Sequence, residues 1–355
     1  MTANEEAENR KALVIGDGSW GTTLALLLCR NGISTTLWSA FPEQTRELRA
    51  TRENRRFLPG VALPEELRFS ADPHSAAEGA DLVVSVVPTQ YLRGVIEKFE
   101  FALSGRMSIV TATKGIEIET FLTPSRILTE VLGERPLCVL TGPSHAEEVA
   151  RGLPASVVAA SADSDLAERV QSWFSSERFR VYTHDDTIGV ELAAALKNVV
   201  ALAAGISDGL ELGDNAKAAL LTRGMVEMAR FGGSRGAQAS TFFGLAGIGD
   251  LVTTCCSRYS RNRAVGEAIG RGQTLEEVLA GMKMVAEGVW TTKALFGPEA
   301  ELSVPMPIAE QVHAVLFEGK DPREAVLDLM CRELVGEMDG LDGLDGMTGT
   351  GEVDP

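Results

Sequence analysis

An alternation of short apolar runs with helical stretches narrows the possible folds of the first half of this chain more than any other feature. Apolar runs at 12–15, 35–38, 82–87, 108–111, 137–140, 156–160 and 178–182 alternate with helical patterns such as 22–30, 42–50, 122–132 and 165–175. Strands separated by helices make a mostly parallel, doubly wound sheet of the Rossmann-like α/β class, which takes its ligands outside the carboxyl ends of the strands. After Asp186 the pattern changes. "DDTIGVELAAALKNVVALAAGISDGL" is long, alanine-rich and apolar on nearly every side, and helical patterns follow at 216–231, 263–270, 275–279, 289–295 and 308–317. A helix apolar all round is a buried one. The sequence therefore predicts a dinucleotide-binding domain over 1–186 and an all-helical substrate and catalytic domain over 187–335. Residues 336–355, with six acids, six glycines and no base, read as a disordered acidic tail.

The first apolar run leads into "VIGDGSWGTT" at 14–23, where Gly16, Gly18 and Gly21 stand at G-x-G-x-x-G spacing. One glycine allows the tight bend, one lets backbone approach a pyrophosphate, and one lets helix and strand close together, while the helix start offers free N–H groups to the phosphates. Asp17 sits between the first two glycines. A carboxylate about 4 Å from a pyrophosphate costs on the order of 4 kcal/mol per unit charge at a surface-like dielectric. Either this side chain turns away, toward backbone or a nearby arginine, or the segment is only a tight strand-to-helix turn.

A formal charge of −17 argues against nonspecific nucleic-acid binding, which needs a basic surface. No apolar run is read as long enough to span a membrane, and the N-terminus is acidic and polar, so the expectation is a cytoplasmic protein without membrane insertion. The five cysteines form no C-x-x-C and include the adjacent pair Cys255 and Cys256, whose place near the expected substrate site raises oxidant sensitivity as an open question. Four scattered histidines lack ligand spacing, and no metal site is expected.

Several residues stand where chemistry would need them. Lys197, beside Asn198, is a charge inside the apolar helical run; a lysine whose pKa is lowered by burial makes a general acid for a carbonyl oxygen. Lys114 lies just past the 108–111 run, at the carboxyl edge of the sheet, and the glycine after it suggests a backbone bent to present something. In "TGPSHAEEVA", Ser144 and Glu147 have capping-box spacing, and Gly142, Ser144 and Ala146 fall at the same sheet edge. Gly244, Gly247 and Gly249 lead into Asp250, and Ser260, Arg261 and Asn262 open a helix. Serine, arginine and asparagine at a helix start suit a phosphate.

Taken together, "GDGSWGTTLA", "VVPTQYLR", "ATKGIE", "GPSHAEEVA", "ELAAALKNVVALAAGISDGLELGDNAKAALLTRGMVEM", "GLAGIGDL", "SRN" and "VAEG" resemble the bacterial-type glycerol-3-phosphate dehydrogenases, in family order from about residue 11 to 320. The resemblance implies reduction of dihydroxyacetone phosphate to sn-glycerol 3-phosphate with NAD(P)H, feeding phospholipid synthesis. It gives Lys197 the role of proton donor and acceptor, completed by Lys114 and Asp250. It implies substrate contacts at Lys114, Gly142, Ser144, Lys197, Asn198, Asp250, Thr254, Ser260, Arg261 and Asn262. Cofactor contacts are implied at the glycine turn with Ser19 and Trp20, and at Lys114, Ala146, Arg261, Val285 and Glu287. After the second strand, "LWSAFPEQ" offers neither the arginine that holds a 2′-phosphate nor an acid for a ribose 2′-OH. Phe41 could pack on adenine, and Arg46 or Arg49 could reach a phosphate. The lean is to NADH. A β-hydroxyacid dehydrogenase and a nucleotide sensor without catalysis are the rival readings, against which "SRN" and the intact lysines respectively argue. The apolar helical domain is compatible with a homodimer.

Overall fold

In the computed structural model, which describes residues 10–103, 107–282, 284–300, 302–334 and 336, the first half folds around an eight-stranded sheet. Its strands are β1 (Lys11–Ile15), β2 (Ser34–Trp38), β5 (Arg68–Ser70), β6 (Leu82–Ser85), β7 (Ser108–Thr111), β8 (Leu137–Thr141), β9 (Ala155–Ala160) and β10 (Phe179–His184), with a separate hairpin of β3 (Glu53–Asn54) and β4 (Leu58–Ala62). The sheet order is β10-β9-β8-β7-β6-β1-β2-β5. All neighbours run parallel except β8 and β9. The middle strands are buried on both faces, which is why they read as continuous apolar runs rather than alternating ones. The chain passes from β1 to β2 on one side and returns to β6 on the other, so the order reverses at β1, and the glycine turn sits at its carboxyl end. Such a reversal point is where open α/β sheets bind ligands.

Strand β5, the β3–β4 hairpin and the helices Thr89–Ile96 and Pro322–Met330 were not anticipated from sequence. The hairpin and β5 are too short for a period to emerge, and the two helices carry only about two turns each. Of the 82–87 run the strand keeps Leu82–Ser85; Val86 N–H makes the last ladder bond, to Ile15 O at 2.9 Å, and Pro88, without an N–H, begins the next turn.

The second half is helical. Asp186 caps the helix Thr187–Gly209, its Oδ1 accepting from Gly189 N at 2.8 Å. By length and composition that helix would pass for a membrane span, contrary to the expectation that no run is long enough, but 89% of its apolar window is buried inside the protein. Helices Gly213–Ser234, Arg261–Gly270 and Glu287–Leu295 surround it. The closest of these crossings is made of glycine. A Cβ on Gly205 would lie 2.0 Å from Arg263 O, and one on Gly266 would lie 2.0 Å from Leu202 O, with Gly209 and Gly270 similarly confined one turn further on. Small residues at i and i+4 on both helices let the two backbones touch. The acidic tail lies outside the described residues apart from Gly336.

Candidate active site

The glycine turn has the shape the spacing predicts. Gly16 has φ +113° and a Cβ there would meet Val86 O at 2.9 Å, while a Cβ on Gly21 would strike Gly16 O at 1.9 Å. Gly18 is different, since a Cβ there meets nothing within 4 Å. Its emptiness is space in front of the helix Ser19–Arg30, whose first N–H groups have no side-chain cap, and a pyrophosphate fits both facts. Ser19 is buried with its carbonyl accepting from Thr23 Oγ1 at 2.8 Å. Trp20 turns its ring toward Phe179, centroids 6.4 Å apart. The Asp17 carboxyl turns aside, with Ser39 as its side-chain neighbour and Arg56 close by.

Further along the carboxyl edge of the sheet, past β7 and β8, three charges converge. Asp250 Oδ1 receives Lys197 Nζ at 3.0 Å and its Oδ2 receives Lys114 Nζ at 2.7 Å. Lys197 Nζ also donates to Thr254 Oγ1 at 2.6 Å, and Lys114 Nζ to Gly142 O at 3.3 Å. Lys197 and Asp250 are almost entirely buried. Burial, with the charge of Lys114 adding to it, brings the Lys197 ammonium down to about 8 against the opposing pull of Asp250. Burial acts to raise the Asp250 carboxyl, but the two lysines outweigh it and hold it below the ordinary carboxylate value. The segment before Asp250, Leu245–Gly249, is a π-helical turn, a distortion that frequently marks functional sites.

Glycines deliver both sheet-edge groups. Gly115 follows Lys114 with φ +150°, and a Cβ there would lie 2.5 Å from Thr89 Oγ1 and 2.9 Å from Glu287 Oε2. Gly142, φ +148°, bends β8 so that its carbonyl meets Lys114. Ser144 does not cap a helix as its spacing suggested. The N-cap is His145, and Ser144 Oγ donates instead to Gly142 O at 2.9 Å, because the Gly142–Pro143 turn leaves the serine one residue short of the helix. Ala146 opens that helix next to the glycine-turn helix, its carbonyl accepting from Thr23 Oγ1 at 3.3 Å.

The second-half residues come together as a chain of amides. Asn262 Nδ2 donates to Asn198 Oδ1 at 2.8 Å and Asn262 Oδ1 accepts from Gly288 N at 2.9 Å. Ser260 Oγ caps its helix by accepting from Arg263 N at 3.2 Å. Arg261 stays accessible, one guanidinium N–H donating to Val285 O at 2.8 Å. Of the trio, Arg261 keeps most of its donors free for an anion and Ser260, whose Oγ only accepts in its cap, keeps its hydroxyl proton, while Asn262 is engaged through both Nδ2 and Oδ1. Glu287 Oε1 accepts from Thr89 N at 3.1 Å, its Oε2 is buried without a partner among the described residues, and burial pushes its carboxyl up to about 7. A hydrogen-bond donor is what such an oxygen lacks.

Three residues here escaped the sequence reading. His145 shares the electrostatic environment of Lys197, Asp250 and Lys114, its pKa lowered first by burial and then by Lys197, and its Nε2 is buried without a partner among the described residues; its place within the capping motif hid it. Asn54, fully buried, ties the β3–β4 hairpin to the glycine turn by donating to Asp17 O and to Thr22 Oγ1, each at 2.8 Å. Arg56 lies over the Phe41 ring at 5.9 Å and the Phe57 ring at 4.9 Å. Arg49 donates to the Phe69 carbonyl, whereas Arg46 pairs with Glu43 only on the surface, a weak contact that leaves it able to reach a phosphate. The adjacent cysteines do not form a pair: Cys255 is buried with its thiol pushed up to about 12, and Cys256 is exposed.

Comparison with known proteins agrees with this arrangement. The family model for the NAD-dependent glycerol-3-phosphate dehydrogenase N-terminus matches residues 11–167 and that for the C-terminus residues 186–327. The chain is 51% identical over 326 residues to a glycerol-3-phosphate dehydrogenase (NAD(P)+) of Chlorobium phaeobacteroides, covering 91% of this chain and 98% of that one. It is 52% identical over 324 residues to the enzyme of the same name from Chlorobium limicola, covering 90% and 97%. Among solved structures, the glycerol-3-phosphate dehydrogenase of Coxiella burnetii superposes with a TM-score of 0.87 at 39% identity, over 91% of this chain and 99% of that one.

Proposed function

The chain belongs to the NAD-dependent glycerol-3-phosphate dehydrogenase family, and from that premise we propose how its residues carry the NAD(P)-dependent interconversion of dihydroxyacetone phosphate and sn-glycerol 3-phosphate. With its pyrophosphate at the glycine turn, a bound NAD(P)H would supply the hydride from its nicotinamide ring. Lys197 donates its Nζ proton to the ketone oxygen as that oxygen becomes a hydroxyl, and takes the proton back in oxidation. Asp250 holds the ammonium in position, and Lys114 adds positive charge where negative charge develops on the oxygen. Arg261 takes the substrate phosphate at the start of its helix, and the Asn198–Asn262–Gly288 amide chain fixes that helix to the one bearing Lys197. The observation that carries this reading is the bridge Lys114–Asp250–Lys197, which joins the sheet edge to the central helix around one carboxylate.

The reading divides labour between residues 1–186 for the dinucleotide and 187–335 for substrate and proton transfer. It takes the enzyme as cytoplasmic and feeding phospholipid synthesis, and as a homodimer built on the helical half, which light scattering of the purified chain tests. The decisive experiment follows NADH and NADPH oxidation with dihydroxyacetone phosphate in wild type and Lys197→Ala. Wild type turns over; the variant loses about 10²–10⁴-fold in kcat, the ordinary weight of a positioned proton donor, while still binding dinucleotide. A variant as active as wild type removes Lys197 from the chemistry. Wild type inactive with both cofactors overturns the function.

A further inference from the structure

The β2 strand ends without the acid that ordinarily takes a ribose 2′-OH, and the glycine turn carries an acid where nothing requires one. The fold brings these two departures together. Ile15 pairs with Trp38, and Gly16 N donates to Trp38 O at 3.1 Å. Asp17 and Ser39 therefore leave adjacent strands at the same edge, and the Asp17 carboxyl has Ser39 as its side-chain neighbour. That edge is where a doubly wound sheet holds the adenosine ribose of a dinucleotide.

The backbone that carries this carboxyl is fixed. Asp17 O accepts from Asn54 Nδ2 at 2.8 Å and from Thr22 Oγ1 at 3.2 Å, which pins the backbone of the turn between the hairpin and the first helix. Asp17 is 7% exposed, and its Oδ2 is buried with no hydrogen-bond partner among the described residues. An unsatisfied buried carboxylate oxygen is costly unless a donor arrives, and burial holds this carboxyl above its ordinary value. Resting on the dehydrogenase reading above, we propose that Asp17 recognises the adenosine ribose 2′-hydroxyl and thereby sets a preference for NADH over NADPH.

The acid thus reaches the ribose from the glycine turn instead of from the end of the second strand. A 2′-phosphate, carrying between one and two negative charges, would meet the same carboxylate and be repelled. Arg56 is the counterweight. Stacked on Phe41 and Phe57 and close enough to Asp17 to stabilise its charge, it becomes a partner for the phosphate once the carboxylate is removed.

The test titrates the full-length protein with NADH and with NADPH, following tryptophan fluorescence, in wild type, Asp17→Asn, Asp17→Ala and the double variant Asp17→Ala, Arg56→Ala. Wild type is expected to bind NADH about tenfold more tightly than NADPH. Asp17→Ala loses about tenfold in NADH affinity, the scale of one charged hydrogen bond, and gains for NADPH. Asp17→Asn gains for NADPH while keeping most of its NADH affinity, since the amide oxygen still accepts. Adding Arg56→Ala takes the NADPH gain away. Thermal unfolding of Asp17→Ala no lower than wild type shows that the change is not a folding defect. A ratio of the two dissociation constants that stays within about twofold of wild type in both single variants, with turnover intact, overturns the role of Asp17 alone. A wild type that prefers NADPH overturns it as well, and a wild type that binds neither dinucleotide overturns the dehydrogenase reading with it.

Discussion

At Lys197 two neighbours act on one proton in opposite directions, and a pH profile separates them. With the ammonium near 8, ketone reduction, which needs the protonated lysine, should be level below about pH 8 and fall above it; oxidation, which needs the neutral amine, should rise over the same interval. Asp250 raises this pKa and Lys114 lowers it. Asp250→Asn therefore moves the falling limb of kcat/KM to lower pH, and Lys114→Met moves it to higher pH, whatever each does to the absolute rate. Limbs that stay put in both variants would mean that another group titrates; His145, its pKa lowered by burial, is neutral throughout that range. At this scale the lysines were legible because a charge inside an apolar helix and a lysine before a bent glycine are anomalies in one dimension. His145, Asn54 and Arg56 were not, because nothing in their local sequence distinguishes them from a capping-segment histidine, a turn asparagine or a surface arginine. Ser144 misled for the same reason, since capping-box spacing says nothing about where the preceding turn releases the chain.

The central helix and Arg261–Gly270 cross at glycine, and that crossing sets how far Asn262 stands from Asn198. Gly266→Ala puts a methyl 2.0 Å from Leu202 O and 2.9 Å from Ile206 N. Neither backbone atom can yield without moving a helix, so the substitution should cost about 1–3 kcal/mol, read as a lower Tm. It should also raise KM for dihydroxyacetone phosphate more than it lowers kcat, because Arg261 moves with its helix while Lys197 keeps its partners on another. Gly272→Ala, where a Cβ meets nothing within 4 Å but φ is +95°, is the control: it costs stability through backbone strain and leaves KM alone. The helices themselves were readable from their periodicity, whereas the glycine seam between them was not, since its two halves are some sixty residues apart in the chain. The antiparallel β8–β9 pair is consistent with the mostly parallel sheet, but its direction too was not legible from spacing. Strand direction depends on the connection, and Ala146–Ala150 is too short a helix to carry a full crossover.

Across the whole molecule, burial has raised several carboxyls. Glu227 is the plainest. It accepts from Ile308 N at 2.8 Å and Ala309 N at 2.9 Å, anchoring the helix Pro307–Phe317 at its start, yet burial outweighs these bonds and pushes it up to about 7, as it does Glu287. A carboxyl whose folded pKa lies above its unfolded value stabilises fully below about 4.5 and loses that contribution as pH rises through 7. The cofactor-free protein should therefore unfold at higher temperature at pH 6 than at pH 8. Glu227→Gln, keeping the acceptor and shedding the charge, should flatten that difference. Repulsion from the net charge of −17 acts in the same direction and is screened by salt, so a pH dependence that vanishes in 0.5 M salt would assign it to surface charge and not to Glu227. By itself the sequence determined the sheet, the helical half, the glycine turn and the two lysines, because periodicity, chain breakers and misplaced charge are local properties. Only the tertiary structure decided that Asp250 would be shared by both lysines, that Asp17 would meet Ser39, and that four glycines would set the helix spacing. Those facts are distances between residues far apart in the chain, and burial and electrostatic strength follow from such distances alone.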